Sequence, residues 1–234
     1  MYRRDHHRRI ASLLHAFDPV LLRETRCYFA GGTAIVLLLD EYRESVDIDF
    51  ICASVEGYRT LRNIVSQQSL GALMQTPVKN FRDDVRADRY GIRTFLEVDG
   101  QPIKIEIVSE GCISVSGENH PDFPVPILSR NDMFAEKLLA NTDRGMDKAA
   151  MSRDIIDIAM MLQAWGAIPE TAWLKVKHVY GDSAEKSYRD AIALVSDPNY
   201  LAQCLATMSM DAALVTHIPK LLAALPLRLM ESKA

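Results

Sequence analysis

Residues 29–50 read Phe-Ala-Gly-Gly-Thr-Ala-Ile-Val-Leu-Leu-Leu-Asp-Glu-Tyr-Arg-Glu-Ser-Val-Asp-Ile-Asp-Phe. The pieces of this stretch differ in physical character. Cys27 to Ala30 is a short apolar run that stops at Gly31-Gly32, which predicts a strand followed by a turn. Thr33 to Asp40 is almost wholly apolar and predicts a buried helix. Tyr42 to Val46 is a charged loop. Asp47 to Cys52 then alternates, so Ile48, Phe50 and Cys52 share one strand face while Asp47, Asp49 and Ile51 share the other.

Two carboxylates on one strand face repel each other unless they meet water or a cation. Asp and Glu oxygens are the ligands Mg²⁺ prefers. The dipeptide pattern alone says nothing: with 19 aspartates in the chain, Asp-x-Asp is expected roughly once or twice by chance. Its context gives it weight. The opposite strand face is apolar, and a Gly-Gly turn lies one helix upstream. A neighbouring strand also offers a third carboxylate. Tyr90 to Val98 and Pro102 to Val108 flank Asp99-Gly100, a hairpin turn signal. In the second of these runs Ile103, Ile105 and Ile107 form a core face, and Glu106 lies on the other. Asp47, Asp49 and Glu106 together would suit two divalent ions about 4 Å apart, as used for in-line phosphoryl displacement. The Gly-Gly turn is neither GxGxxG nor a P-loop, but free N–H groups at a helix start attract phosphate.

Outward from this block, the chain changes character near residue 128. Before it, β-type runs alternate with helical patterns, including residues 5–17 and 55–69. After it, nearly everything reads as helix. Ser129 with Asp132 marks one helix start. A helix carrying Arg153, Asp154 and Asp157 ends near Gly166, and Asp197-Pro198 opens another. Residues 199–209 and 212–225 follow as further helical patterns. The expected fold class is α+β: residues 1–128 as a lobe with a small mixed β-sheet flanked by helices, and residues 129–234 as a helical bundle completing the active-site cleft.

Lys plus Arg is 27 and Asp plus Glu is 31, a formal net charge of −4. That excludes non-specific nucleic-acid binding, which depends on a strong basic excess. It leaves room for an enzyme that grips one RNA end through a local patch. Arg3, Arg4, Arg8 and Arg9 are candidates for such a patch, as are Lys79, Arg82, Arg86, Arg89 and Arg93. Asp83, Asp84 and Asp88 make the second stretch read as a mixed-charge, solvated face. His6 and His7 read as solvent-exposed rather than as a metal pair. Cys27, Cys52, Cys112 and Cys204 form no CxxC motif, and no apolar stretch approaches bilayer length, so a cytoplasmic protein with reduced thiols is expected.

The segment 29–50 resembles the nucleotidyltransferase signature of the DNA polymerase β-like superfamily. It is most similar to the AbiEii/AbiGii toxin family of type IV toxin–antitoxin systems. That family shows Gly-Gly-Thr-Ala, then Arg-x-Ser-x-Asp-hydrophobic-Asp-Phe, and here these are Gly31 to Ala34, Arg43, Ser45, Asp47, Ile48, Asp49 and Phe50. A second block matches as Lys137-Leu138-Leu139-Ala140 and Arg153-Asp154-Ile155-Ile156-Asp157.

The resemblance implies that Asp47 and Asp49 hold Mg²⁺ or Mn²⁺, with the third acidic position of such enzymes, taken here as Glu106, varying. It implies that Gly31, Gly32, Thr33 and Ser45 cradle the triphosphate. Lys137 and Arg153 would contact nucleotide phosphates, and Asp154 or Asp157 would act on the acceptor. The implied reaction transfers NMP from an NTP to an acceptor hydroxyl, with the tRNA 3′ end as acceptor and a cognate antitoxin as partner. No membrane partner is implied. Two alternatives remain open. One is a nucleotidyltransferase acting on a small molecule such as an aminoglycoside, or on a protein hydroxyl. The other is a catalytically silent binding module with the same fold.

Overall fold

The computed structural model describes residues 2–82 and 84–223. It divides into two compact units. One comprises Met1–Glu41 and Ser45–Ser129; the other comprises Tyr42–Glu44 and the chain from Arg130 onward.

The first unit runs α1 (Asp5–Leu14), α2 (Pro19–Glu24), β1 (Cys27–Ala30), α3 (Gly31–Leu38), β2 (Ile48–Cys52) and α4 (Val55–Ile64). It continues with β3 (Arg86–Ala87), β4 (Gly91–Val98), β5 (Gln101–Ser109), β6 (Gly117–Glu118) and β7 (Ile127–Leu128). The strands form one mixed sheet in the order β3-β4-β5-β2-β1-β7-β6. β1 and β2 are antiparallel, and β2 and β5 are parallel with Asp49 beside Glu106. β4 and β5 form the expected hairpin, in which Asp99 (φ 51°) and Gly100 (φ 73°) take the positive φ that a two-residue type I′ turn requires. The apolar sheet face is the core: Ile48, Phe50, Cys52, Ile103 and Ile107 are fully buried, and Phe17 and Phe29 pack on Phe50 with ring centroids 5.0 and 5.9 Å away. Burying that face is what turns Asp47, Asp49, Lys104 and Glu106 to the other side of the sheet.

The second unit is helical: α5 (Arg130–Arg144), α6 (Arg153–Trp165), α7 (Glu170–Tyr180), α8 (Ser183–Val195), α9 (Pro198–Thr207) and α10 (Ile218–Ala223). Asp197 caps α9 by accepting from the N–H groups of Asn199 and Tyr200, and Gly166 ends α6 at φ 85°.

Three expectations from the sequence need correction. The helix expected over 55–69 stops at Ile64, because Val65 turns to extended backbone and Ser66 pairs with Ser69. The pattern over 212–225 is broken into a 3₁₀ turn, Ala212–Thr216, and the short α10; residues 224–225 lie outside the described residues. His7 is fully buried rather than solvent-exposed. Among the described residues, no helix is long and apolar enough to cross a membrane. All four cysteines are free thiols, three of them buried.

Candidate active site

The turn between β1 and α3 is built around Gly31. Its φ is 71°, and a Cβ there would collide with Asp49, meeting the Asp49 Cβ at 2.8 Å. Only glycine lets the start of α3 lie against this carboxylate. Ala30, at the N-cap of α3, supplies no side-chain cap to its first turn. Thr33, buried in that turn, donates its hydroxyl proton to the Asp47 carbonyl. Its Oγ1 also lies 2.8 Å from Ser45 Oγ, so Ser45 is the donor in that pair. Gly31, Gly32, Thr33 and Ser45 therefore surround the entry to β2, as a phosphate cradle would require. Thr33 is already engaged there in holding the backbone of Asp47.

Ser45 is fixed from its other side by α1. The Ser45 N–H donates to His7 Nε2 at 3.1 Å, which leaves the ring proton on Nδ1, donated to Glu41 Oε1 at 2.8 Å. Glu41 also accepts from the N–H groups of Arg3 (2.6 Å) and Arg4 (3.1 Å). Burial holds the His7 imidazole neutral, below its usual pKa, although Glu41 pulls the other way.

The polar sheet face carries alternating charge. Asp49 on β2 and Asp47, directly before it, are half-buried, and among the described residues no ion pair reaches the Asp47 carboxylate. Next to them on β5, Glu106 has both oxygens engaged: Oε1 lies 2.7 Å from Arg93 Nε on β4, and Oε2 lies 2.7 Å from Lys104 Nζ. Burial opposes ionisation of Glu106, but these two cations outweigh it and hold the carboxyl below its usual range. Burial likewise opposes the Lys104 charge, and Glu106, Asp47 and Asp49 together raise its pKa. Among the described residues, no three His, Cys, Asp or Glu side chains gather where they could hold one metal ion.

The helical unit contains a second charged cluster, and it is buried. Arg43 clamps Asp157 in two-pronged fashion, Nε to Oδ1 at 2.7 Å and Nη2 to Oδ2 at 2.9 Å. The Tyr42 hydroxyl donates to Asp157 Oδ1 at 2.6 Å. Lys137 on α5 reaches two residues one turn apart on α6, Asp157 Oδ2 at 2.6 Å and Asp154 Oδ1 at 3.0 Å. Arg144, two turns further along α5, binds both oxygens of Asp154 at 2.7 and 3.1 Å. Burial would favour neutral carboxyls here. Arg43 and Lys137 override it and hold Asp157 far below the carboxylate range; Lys137 and Arg144 hold Asp154 below it too. Arg153 is exposed and joins none of this.

This chain matches the family model described as nucleotidyl transferase AbiEii toxin, type IV TA system, over residues 13–223. It belongs to the AbiEii nucleotidyltransferase toxin family. No curated protein matches it by sequence. Two solved structures share its fold. A candidate nucleotidyltransferase from H. pylori is 14% identical with a TM-score of 0.50, covering 95% of this chain and 96% of its own. JHP933 from Helicobacter pylori is 12% identical with a TM-score of 0.50, covering 96% and 92%.

In this AbiEii-family transferase, the motif residues form one charged cluster in each unit, and Arg43 of the first block belongs to the cluster of the helical unit. Several members of those clusters escaped the sequence reading: His7 and Glu41, which hold Ser45; Arg93 and Lys104, which hold Glu106; and Tyr42, which joins Arg43 on Asp157. One signal was available. Counting back from the Asp99-Gly100 turn sets Arg93 directly across from Glu106.

The family generally uses NTP and a divalent metal, and the residues on the sheet face suit such an ion. Asp47 and Asp49 present hard oxygen donors on one side of one strand, at a turn where only a missing Cβ makes room. Two carboxylates, with remaining positions left to water and phosphate oxygens, is the usual way Mg²⁺ is held with a nucleotide.

Proposed function

We propose that this toxin-family enzyme transfers NMP from an NTP to the 3′ end of a tRNA, with Mg²⁺ or Mn²⁺ held by Asp47 and Asp49. The acceptor oxygen bonds to the α-phosphorus as its hydroxyl proton passes to water, the bond from that phosphorus to the bridging oxygen breaks, and pyrophosphate leaves. When bound, the divalent ion would polarise the α-phosphoryl oxygen. The chain's own residues orient and neutralise. Gly31 lets the start of α3 lie against Asp49, Gly31 and Gly32 are assigned to the triphosphate, and Ser45, held through its N–H by His7, would turn its hydroxyl proton from Thr33 to phosphate.

Lys137 is assigned to phosphate contact, and Asp154 rather than Asp157 to the acceptor step. What supports that choice is saturation. Asp157 is engaged by Arg43, Lys137 and Tyr42 in full burial, whereas one partner of Asp154, Arg144, has a side chain 40% exposed. A cognate antitoxin is the partner that a type IV system calls for, and the cytoplasm is the compartment in which tRNA would be met.

The observation that carries the proposal is the pair Asp47 and Asp49 on one strand face, against the Gly31 turn. To test it, purified protein is incubated with each labelled NTP, Mg²⁺ and total tRNA. Label on tRNA that disappears with Asp49→Ala supports the reading. Label on a small molecule or a protein instead would replace tRNA as acceptor, and no transfer or nucleotide binding at all would leave only a silent module.

A further inference from the structure

Asp47, Asp49 and Glu106 lie on the polar face of adjacent segments of the sheet, with Asp49 beside Glu106. Asp49 and Glu106 are register partners on the parallel pair β2–β5, where strands lie about 4.8 Å apart. Lys104 sits two residues before Glu106 on β5, and the charges of Asp47 and Asp49 both act on its ammonium. Such a group of carboxylates needs compensating charge. Two divalent ions could supply it, and so could cations of the chain.

The geometry favours the second source at Glu106. Each of its oxygens already holds a charge-assisted bond of 2.7 Å, one to Arg93 Nε and one to Lys104 Nζ, and its side chain is only 19% exposed. For Glu106 to ligate a metal, one of these bonds must break. A displaced Lys104 or Arg93 would then stand uncompensated next to a doubly charged ion. Arg93 has a secondary partner in Asp88, at 3.5 Å; among the described residues, Glu106 is the ion-pair partner of Lys104. With both Glu106 oxygens engaged in this way, Asp47 and Asp49 are the carboxylates of this face to which an added ion would bind.

We propose that Glu106 is the counter-ion of Lys104 and Arg93 rather than a metal ligand, and that the Lys104 ammonium takes the place of a second cation, so this face binds one divalent ion. Lys104 is then a positioning residue that fixes positive charge beside Asp47 and Asp49 whatever the metal concentration. The inference rests on the reading of Asp47 and Asp49 as metal-binding.

The test is a Mn²⁺ titration of the full chain, reading free Mn²⁺ by electron paramagnetic resonance. The wild type is expected to take up one ion, lost in Asp49→Ala. Removing one charge of either sign near the ion should shift affinity only about threefold to tenfold, weaker in Glu106→Gln and tighter in Lys104→Gln. The double variant keeps the wild-type net charge and should return to the wild-type affinity. Glu106→Asp keeps the charge, and the flexible Lys104 stem can follow it, so its affinity should equal that of the wild type; this variant decides the matter if Glu106→Gln does not fold.

Two ions in the wild type, one of them lost in Glu106→Gln, would overturn the proposal. So would a loss in Glu106→Gln of about a hundredfold, the scale of a removed ligand, that Lys104→Gln does not reverse. A wild type that binds no Mn²⁺ would overturn the metal reading of Asp47 and Asp49 itself, and is recognised before any Glu106 variant is measured.

Discussion

The sheet face around Asp47 and the buried cluster around Asp157 are both built from carboxylates, lysine and arginine, and they end with opposite surpluses. On the sheet, Asp47, Asp49, Asp88 and Glu106 meet Arg93 and Lys104, so carboxylates are in excess, with Asp47 and Asp49 half-buried. In the helical unit, Arg43, Lys137 and Arg144 meet Asp154 and Asp157, one cation in excess and nearly everything buried. A half-buried surplus of negative charge attracts a divalent ion. A surplus of positive charge attracts phosphate. The difference also separates two kinds of residue: those whose charge is available to a ligand, and those whose charge is consumed in holding the fold.

The comparison can be broken hardest at Asp49. Asp49→Ala should lower nucleotidyl transfer by about two to three orders of magnitude, the scale on which aligned electrostatic groups act, while leaving the unfolding midpoint close to the wild type. A large stability loss with transfer retained would show that Asp49 belongs with the structural residues.

The converse applies to Asp157. Removing one partner of a buried ion pair typically costs about 3–5 kcal/mol, so Asp157→Ala should show a loss of that size in urea unfolding. Acid sharpens the same point. Folded Asp157 and Asp154 titrate below the unfolded carboxylate value of about 3.9, so the unfolded state takes up protons first as pH falls. Their contribution is complete above about pH 4 and declines below it as the folded pKa values are approached. Asp157→Asn should flatten the acid limb of the stability profile. An unaltered acid limb would remove Asp157 from its place as the hub.

Gly31→Ala tests the turn. The left-handed backbone costs about 1–2 kcal/mol for a residue with a Cβ, and the clash with Asp49 should disturb Mn²⁺ affinity as well. A variant with wild-type metal affinity would mean that the close approach of turn and carboxylate has no role in the site. The smallest expected effect is at Arg144. Arg144→Gln should raise the KM for NTP by roughly threefold, consistent with removal of one partly screened charge, with kcat little changed. If kcat falls and KM stays constant, the surplus cation acts in the chemical step rather than in phosphate binding.

Much of the fold is legible in residues 27–52 and 90–109, because there the signals are local. An apolar run ending at Gly31-Gly32, strict alternation at Asp47–Cys52, and Asp99-Gly100 between two strands each determine structure through their immediate neighbours. Asp197-Pro198 and Ser129 do the same for helix starts. What escaped notice is the partner across a long distance. Alternation puts Glu106 on the polar face but does not say that Lys104 and Arg93 will close on it. The Tyr42–Val46 loop shows its charge, yet nothing local reveals that Arg43 meets Asp157 rather than a ligand. His7 looked like terminal polarity because it and His6 form an isolated pair in the charged start of the chain. Only the tertiary contacts with Glu41 and Ser45 give the ring a reason to be buried. The helix expected to reach residue 69 was lost to Ser66–Ser69, whose pairing competes with the helix.

Arg43 and Asp157 are 114 residues apart in the chain. On a translating ribosome, every strand of the sheet has been synthesised by residue 128, before Asp157, the acceptor for Arg43, has been made. The segment Tyr42–Glu44, directly ahead of Ser45 and Asp47, therefore cannot gain its anchor until α6 has emerged. Local pairing of β1 with β2 and of β4 with β5 has no such wait. The order of synthesis thus lets the sheet be assembled early and leaves the loop leading into its carboxylate pair to be tied down last.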